Sequence, residues 1–176
     1  MTASLARYCS TAFLQLEELC AIASDESRLR TTARSSQWSV QQHIEHLALA
    51  GEVMLTRIES SVGLPPEQQV TKGKLKPIGR LILTLHRIPR GKGKAPDFTL
   101  PRGTQTELLR QRLERLKTRI DGVASRLDDV KVSKHRTTHP VLGDFTPSQW
   151  LRFLKIHQKH HLDIIQEIEK ARYTPT

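Results

Sequence analysis

The chain has 176 residues, of which 37% are hydrophobic and 26% are charged, so it is long enough to bury one real core. No apolar run reaches the roughly 18 residues of a membrane span, and the first residues do not resemble a secretory signal. Only Cys9 and Cys20 could form a disulfide, and on one helix they would lie about 16 Å apart, which excludes a bond. We therefore expect one domain over residues 1–176, located in the cytoplasm and without a membrane partner.

The first two predicted helices cover residues 4–23 and 39–60. The second begins with a capping box, in which the side chains of Ser39 and Gln42 each accept a hydrogen bond from the other residue's backbone. Apolar residues recur in steps of three and four along both segments, as in a helix with one buried stripe. The first stripe is Leu5, Cys9, Ala12, Leu16, Leu19 and Ala23, and the second is Val40, Ile44, Leu47, Gly51, Met54 and Ile58.

A basic excursion follows over residues 64–103. Within it, residues 72–94 contain no acid and supply eight positive charges to a chain with a net charge of +10: Lys72, Lys74, Lys76, Arg80, Arg87, Arg90, Lys92 and Lys94. Such a block could meet nucleic acid, an anionic membrane surface or an acidic small molecule. Residues 72–94 contain no phenylalanine, tyrosine or tryptophan to stack a base, so we expect a solvated segment and no nucleic-acid partner. Five apolar residues predict a short amphipathic helix that covers the bundle: Ile78, Leu81, Ile82, Leu85 and Ile88.

The last two predicted helices cover residues 104–128 and 147–171. Capping boxes from Thr104 to Glu107 and from Thr146 to Gln149 mark their starts. The third helix has the stripe Leu109, Leu113, Leu116, Ile120, Val123 and Leu127. The connection over 128–145 shows no strand pattern. Four long helices with one long crossover between the second and third predict an all-α four-helix bundle.

Histidines interrupt the inward stripe of the last helix. His157 and His161 lie four residues apart on one helix face, where two imidazoles can reach a common ion. The second helix offers His43 or His46 as a third ligand. Periodicity slightly favours His43, about 60° from the stripe centre against about 120° for His46, and does not decide between them. His135 and His139 are also four apart, but they precede Pro140 in a loop, and we expect no metal site there.

Two runs resemble the DinB-like superfamily, also called DinB/YfiT. The run WSVQQHIEHL at 38–47 resembles the start of that family's second helix, which has a histidine eight residues after the tryptophan. The run HPVLGDFTPSQW at 139–150, with the histidines beyond it, resembles the final helix. The landmarks cover about half of the chain. The resemblance implies a DinB/YfiT-like four-helix bundle with the metal ligands His46, His157 and His161, and His43 as a neighbour.

Three neutral imidazoles leave a divalent ion with an open position, and zinc or nickel fits such ligands. Glu45, Gln41, Asp163 and Gln166 are the candidate hydrogen-bond partners of the ligand rings. The resemblance implies a metal-dependent enzyme that uses a low-molecular-weight thiol as cosubstrate. We expect a thiol-dependent S-transferase or isomerase, or a hydrolase-like enzyme, acting on a small electrophile, with a homodimer as a further possibility. The alternatives are a non-catalytic metal-binding stress protein and a binder of nucleic acid or anionic surfaces through residues 72–94.

Overall fold

Four long helices form the bundle, and their bounds agree with the sequence prediction to within a few residues. The structure is a computed structural model that describes residues 2–91 and 94–172. The bundle helices are α1 (Thr2–Ala23), α3 (Val40–Glu59), α5 (Thr106–Ala124) and α7 (Pro147–Arg172). The shorter elements are α2 (Glu26–Leu29), α4 (Pro77–Leu85) and α6 (Leu127–Val132), the 3-10 turns Pro66–Gln68 and Asp97–Thr99, and the strands β1 (Thr137–His139) and β2 (Gly143–Phe145). No described helix has the length and hydrophobicity needed to span a bilayer.

The bundle helices pack around one core in the spatial order α1, α5, α3, α7. Every residue of the stripes predicted for α1 and α3 is buried, and so are the first five residues predicted for the third stripe. Because α3 and α7 are neighbours in this ring, residues 43–46 come to lie beside residues 157–161. The all-α fold and the long crossover between α3 and α5 are therefore as predicted.

Two of the three predicted capping boxes are present. Ser39 and Gln42 form the reciprocal pair at the start of α3, and Thr146 and Gln149 do so at the start of α7. The box predicted at Thr104 is wrong. The Thr104 hydroxyl donates to Oε1 of Glu45 at 2.6 Å instead, and α5 begins two residues later.

The connection over 128–145 differs from the prediction of a strand-free loop. It begins with α6 and continues into an antiparallel hairpin in which Thr137 pairs with Phe145 and His139 with Gly143. Each strand has only three residues, which is too short for an alternating pattern to stand out in the sequence. The predicted third helix is also interrupted, because it ends at Ala124 before α6 begins.

The basic excursion contains the predicted short helix, α4, but a different face of it is buried. Ile82 and Leu83 are buried, whereas Ile78, Leu81 and Leu85 are exposed. The helix is joined to the hairpin at one edge, where the Lys76 amide donates to the Leu142 carbonyl at 2.9 Å. Lys92 lies outside the described residues. Cys9 and Cys20 are free thiols, as expected.

Gly79 tests the close contact between α4 and the hairpin. A Cβ at this position would lie 2.5 Å from the Leu142 carbonyl oxygen, so Gly79→Ala must push α4 away. We expect it to lower the free energy of unfolding by about 1–3 kcal/mol, measured by urea denaturation.

Gly122→Ala in α5 is the matched control, because nothing lies within 4 Å of its added Cβ. We expect this change to raise the free energy of unfolding by about 0.5–1 kcal/mol, since glycine costs conformational entropy in a helix. Equal effects of the two changes would contradict the packing described for α4.

Candidate metal centre

Three histidines from α3 and α7 converge in the bundle. His46 comes from α3, and His157 and His161 come from successive turns of α7. One ring nitrogen from each lies within 4.8 Å of the others. The ring centroids are 5.0 Å apart for His46 and His157 and 4.8 Å apart for each of the other two pairs. Three buried imidazoles this close together could bind a divalent metal ion.

The proton on His46 has a defined position. Its Nδ1 lies 2.8 Å from the backbone carbonyl oxygen of Thr99, which can only accept a hydrogen bond. Nδ1 therefore carries the hydrogen, and Nε2 of the neutral ring presents a lone pair. This Nε2 lies 3.2 Å from Nε2 of His157, close to the roughly 3.3 Å between two nitrogens on one tetrahedral zinc ion.

A chain of hydrogen bonds orients His161 in the same way. The Ser36 hydroxyl donates to the Trp38 carbonyl at 2.9 Å, so its oxygen accepts the hydrogen of His43 Nε2, also at 2.9 Å. Nδ1 of His43 is then a lone pair, which accepts from Nδ1 of His161 at 2.9 Å. Nε2 of His161 is left as a lone pair. Thus His43 contacts the ring of His161 without belonging to the group of three.

The donor set at this point suits a metal ion. His46 and His161 each carry their hydrogen on the outer nitrogen, as metal-bound histidines do. His157 differs from them: it presents Nε2 to His46, and its other ring nitrogen, Nδ1, is buried without a hydrogen-bond partner in the described part of the chain.

The pKa values of these histidines lie below the ordinary value of 6.5. Burial lowers the pKa of His46, although the hydrogen bond to Thr99 opposes the shift. Burial and then the neighbouring histidines hold the pKa of both His157 and His161 well below 6.5, and the same causes lower that of His43 to about 4. All four rings are therefore neutral near pH 7, the state in which imidazole binds a metal.

The hydrogen-bond partners predicted for the ligand rings are wrong. Glu45 instead accepts from the backbone amides of Arg102, Gly103 and Thr104 at 2.9–3.2 Å, which attaches the end of the crossover to α3. Gln41 donates to the Thr104 carbonyl at 3.0 Å.

The other two predicted partners also bond elsewhere. Asp163 accepts from Lys159, and Gln166 donates to Glu18 at 3.2 Å. The observed contact, from His46 to the Thr99 carbonyl, uses a backbone atom, which no side-chain pattern in the sequence reveals.

Comparison with known proteins identifies the family. Residues 12–165 match the model of the DinB superfamily. The chain belongs to the DinB superfamily. It is also similar to the uncharacterized protein YuaE of Bacillus subtilis strain 168, with 23% identity over 152 residues, which are 84% of this chain and 86% of YuaE. No solved structure gives a significant match.

The remaining histidines of this DinB-superfamily chain lie outside the group of three. The ring of His160 is 5.1 Å from that of His161 and points into a different cavity. His86 is exposed and accepts from Arg152 at 3.0 Å. His135 accepts from the Val70 amide at 3.0 Å, and His139 accepts from the amides of Val141 and Leu142.

A cavity of about 130 Å³ opens beside His46 and His157. Most of its wall is apolar and comes from α3, α7 and the two connections. The other lining residues are Ala50, Val53, Met54, Arg57, Pro96, Phe98, Thr99, Thr138, His139, Pro140, Trp150 and Phe153. A molecule in this cavity would therefore lie next to two of the three histidines.

The stability of the metal-free protein should depend on pH through these histidines. Their folded-state pKa values are lowered, so below pH 6.5 the unfolded chain binds more protons than the folded one. The stability present above pH 6.5 is then lost as the pH falls towards 4.

We expect His157→Leu to reduce the slope of the free energy of unfolding against pH by up to about 1.4 kcal/mol per pH unit, because one histidine with a lowered pKa is removed. Denaturant unfolding of chelator-treated protein between pH 7 and pH 5 measures it. An unchanged slope in the variant would show that His157 is protonated as readily in the folded chain as in the unfolded one.

Proposed function

We propose that this protein is a metal-dependent thiol transferase. His46, His157 and His161 would hold one zinc or nickel ion, and a low-molecular-weight thiol would attack a small electrophile in the adjoining cavity. The observation that carries the proposal is the position of this apolar cavity, whose wall includes His46 and His157. We place the reaction in the cytoplasm, where such thiols are kept reduced.

The two sides of the histidine cluster support different parts of this function. On one side, the Thr99 carbonyl and His43 hold hydrogens at the outer nitrogens of His46 and His161, so that the inner nitrogens are free to bind. On the other side, Trp150 and Phe153 contribute two neighbouring aromatic rings to the apolar wall against which the electrophile would lie. An ion held by these three imidazoles would supply the Lewis acidity that makes a thiol nucleophilic at neutral pH.

The balanced reaction for an enone substrate is an addition. The thiol sulfur forms a bond to the β-carbon, the carbon–carbon double bond is lost, and the thiol proton ends on the α-carbon. No oxidant or reductant is consumed. The cavity of about 130 Å³ is slightly smaller than the roughly 150 Å³ that accommodate benzene, and because it is open on one side, a ring such as cyclohexenone can enter without being fully enclosed.

Metal content tests the ligand assignment. We expect the wild-type protein to bind about one equivalent of zinc or nickel per chain, measured by elemental analysis after dialysis against the ion. His46→Ala, His157→Ala and His161→Ala should each lose most of this metal, because two imidazoles bind a divalent ion far more weakly than three.

Two further histidine variants serve as controls. His160→Ala should keep the full equivalent, since His160 is adjacent to His161 but lies outside the cluster. His43→Leu should still bind one equivalent at saturation with an affinity about 10–100-fold lower, because only the acceptor for His161 is removed. Full metal retention by His157→Ala would remove His157 from the ligand set.

Turnover separates an enzyme from a passive metal-binding protein. We expect cyclohexenone to be consumed with glutathione, bacillithiol or mycothiol at a rate that depends on added metal, followed by the loss of the enone absorbance. His160→Ala should retain this rate, and His161→Ala should lose it. Stoichiometric metal without turnover of any of the three thiols would favour the non-catalytic alternative.

A further inference from the structure

His139 lines the cavity beside the histidine cluster and carries a hydrogen-bond donor that has no protein acceptor among the described residues. Its Nδ1 accepts from the amides of Val141 and Leu142 at 3.1 and 3.2 Å, so Nδ1 must be a lone pair. The ring is neutral, because burial and the nearby Lys76 lower its pKa to about 4. Its single hydrogen is therefore on Nε2, at the ring edge away from the two amides.

The surroundings fix the ring in this orientation. His139 is the last residue of β1, and its ring packs against those of Phe145, Trp150 and Phe153, with centroids 5.5–6.1 Å away. Nε2 of His139 donates to no atom of residues 2–91 and 94–172, although the residue lines the cavity. A fixed and unused donor in an apolar wall is suited to a ligand that brings one acceptor.

A neutral donor is sufficient for an uncharged acceptor. A carbonyl oxygen needs only one hydrogen bond, and most of the cavity wall is apolar, with Arg57 as the charged side chain among its lining residues. The volume of about 130 Å³ sets the size at about one six-membered ring.

We propose that His139 is a substrate-binding residue whose Nε2–H donates to the carbonyl oxygen of a small apolar ketone or enone in the cavity beside His46 and His157. The proposal names a substrate class for the proposed transferase, and a role of His139 in catalysis rests on that function. The donated hydrogen bond withdraws electrons from the carbonyl, which makes the β-carbon of an enone more electrophilic. Binding of the carbonyl compound itself requires no metal.

Cyclohexanone tests this role because it resembles the enone but cannot react with a thiol. Methylenecyclohexane is the matched probe, since it has the same shape and lacks the oxygen. Binding of both is measured by NMR titration of the chelator-treated full-length protein. In the variant His139→Asn, the side-chain oxygen can still accept from the amides of Val141 and Leu142, but no donor reaches the cavity.

We expect cyclohexanone to bind the wild-type protein and to lose about five- to tenfold in affinity in His139→Asn. The affinity of methylenecyclohexane should change by less than twofold. Met54→Leu is the control, because it alters the same cavity without a polar group and should affect both probes equally. In wild-type protein, cyclohexanone should also shift the proton resonance of His139 Nε2–H downfield, a readout that needs no variant.

Equal losses for the two probes in His139→Asn, no loss for cyclohexanone, or no cyclohexanone binding would each overturn the role of His139. Binding of cyclohexanone only to zinc-loaded protein, with no effect of His139→Asn, would assign the carbonyl to the ion and also overturn it. These outcomes are separable from failure of the transferase proposal, which metal content and thiol turnover decide.

Discussion

The burial of several imidazoles between α3 and α7 is the constraint on which the rest of this site depends. A charged imidazolium would be strongly disfavoured there, and a neutral one needs each buried nitrogen to have a suitable partner. The structure meets this need for two of the three rings: the Thr99 carbonyl accepts the hydrogen of His46, and His43, held by Ser36, accepts that of His161, whereas Nδ1 of His157 has no partner in the described part of the chain. The same hydrogen bonds that make burial tolerable also direct lone pairs towards one point. The arrangement that gives the buried nitrogens of His46 and His161 their hydrogen-bond partners is therefore also one that suits metal binding.

The crossover between α3 and α5 completes this arrangement from outside the bundle. Glu45 accepts hydrogen bonds from the backbone amides of residues 102–104. Burial alone would raise the pKa of its carboxyl, but the hydrogen bonds from Thr104, Arg102 and Gly103 outweigh burial and hold the pKa below its ordinary value. A carboxylate at this position keeps the end of the crossover against α3. The Asp97–Thr99 turn just before it can then place its carbonyl on His46. Glu45 thus acts on the site through the backbone, although it is adjacent to His46 in the sequence.

The helices and their cores could be predicted from the sequence, because the stripes on α1 and α3 arise from periodic burial against neighbouring helices. The choice between His43 and His46 could not be predicted in this way, since the periodicity of apolar residues assumes that a helix has one buried face. Both residues are buried, because the Asp97–Thr99 turn covers a flank of α3 that a simple bundle would expose. The resemblance to the DinB family favoured His46 where periodicity did not. Thr104 shows a second limit of prediction from sequence. Its motif matches a capping box, but its hydroxyl forms a hydrogen bond with Glu45, which lies 59 residues earlier in the chain.

The long helices and the connections between them contribute different parts of the candidate site. The long helices carry the three histidines, whose spacing is set by the repeat of α7 and by its packing on α3. Much of the cavity beside them is formed instead by residues 96–99 of the crossover and 138–140 of the hairpin. Connections tolerate substitution and changes in length better than packed helices do. A bundle of this type can therefore keep the geometry of its histidine cluster while the cavity changes with its connections, so the residues that select a ligand should be sought in the connections. The role we propose for His139 follows this division, because its ring orientation is determined by two amides of the hairpin turn and not by a helix.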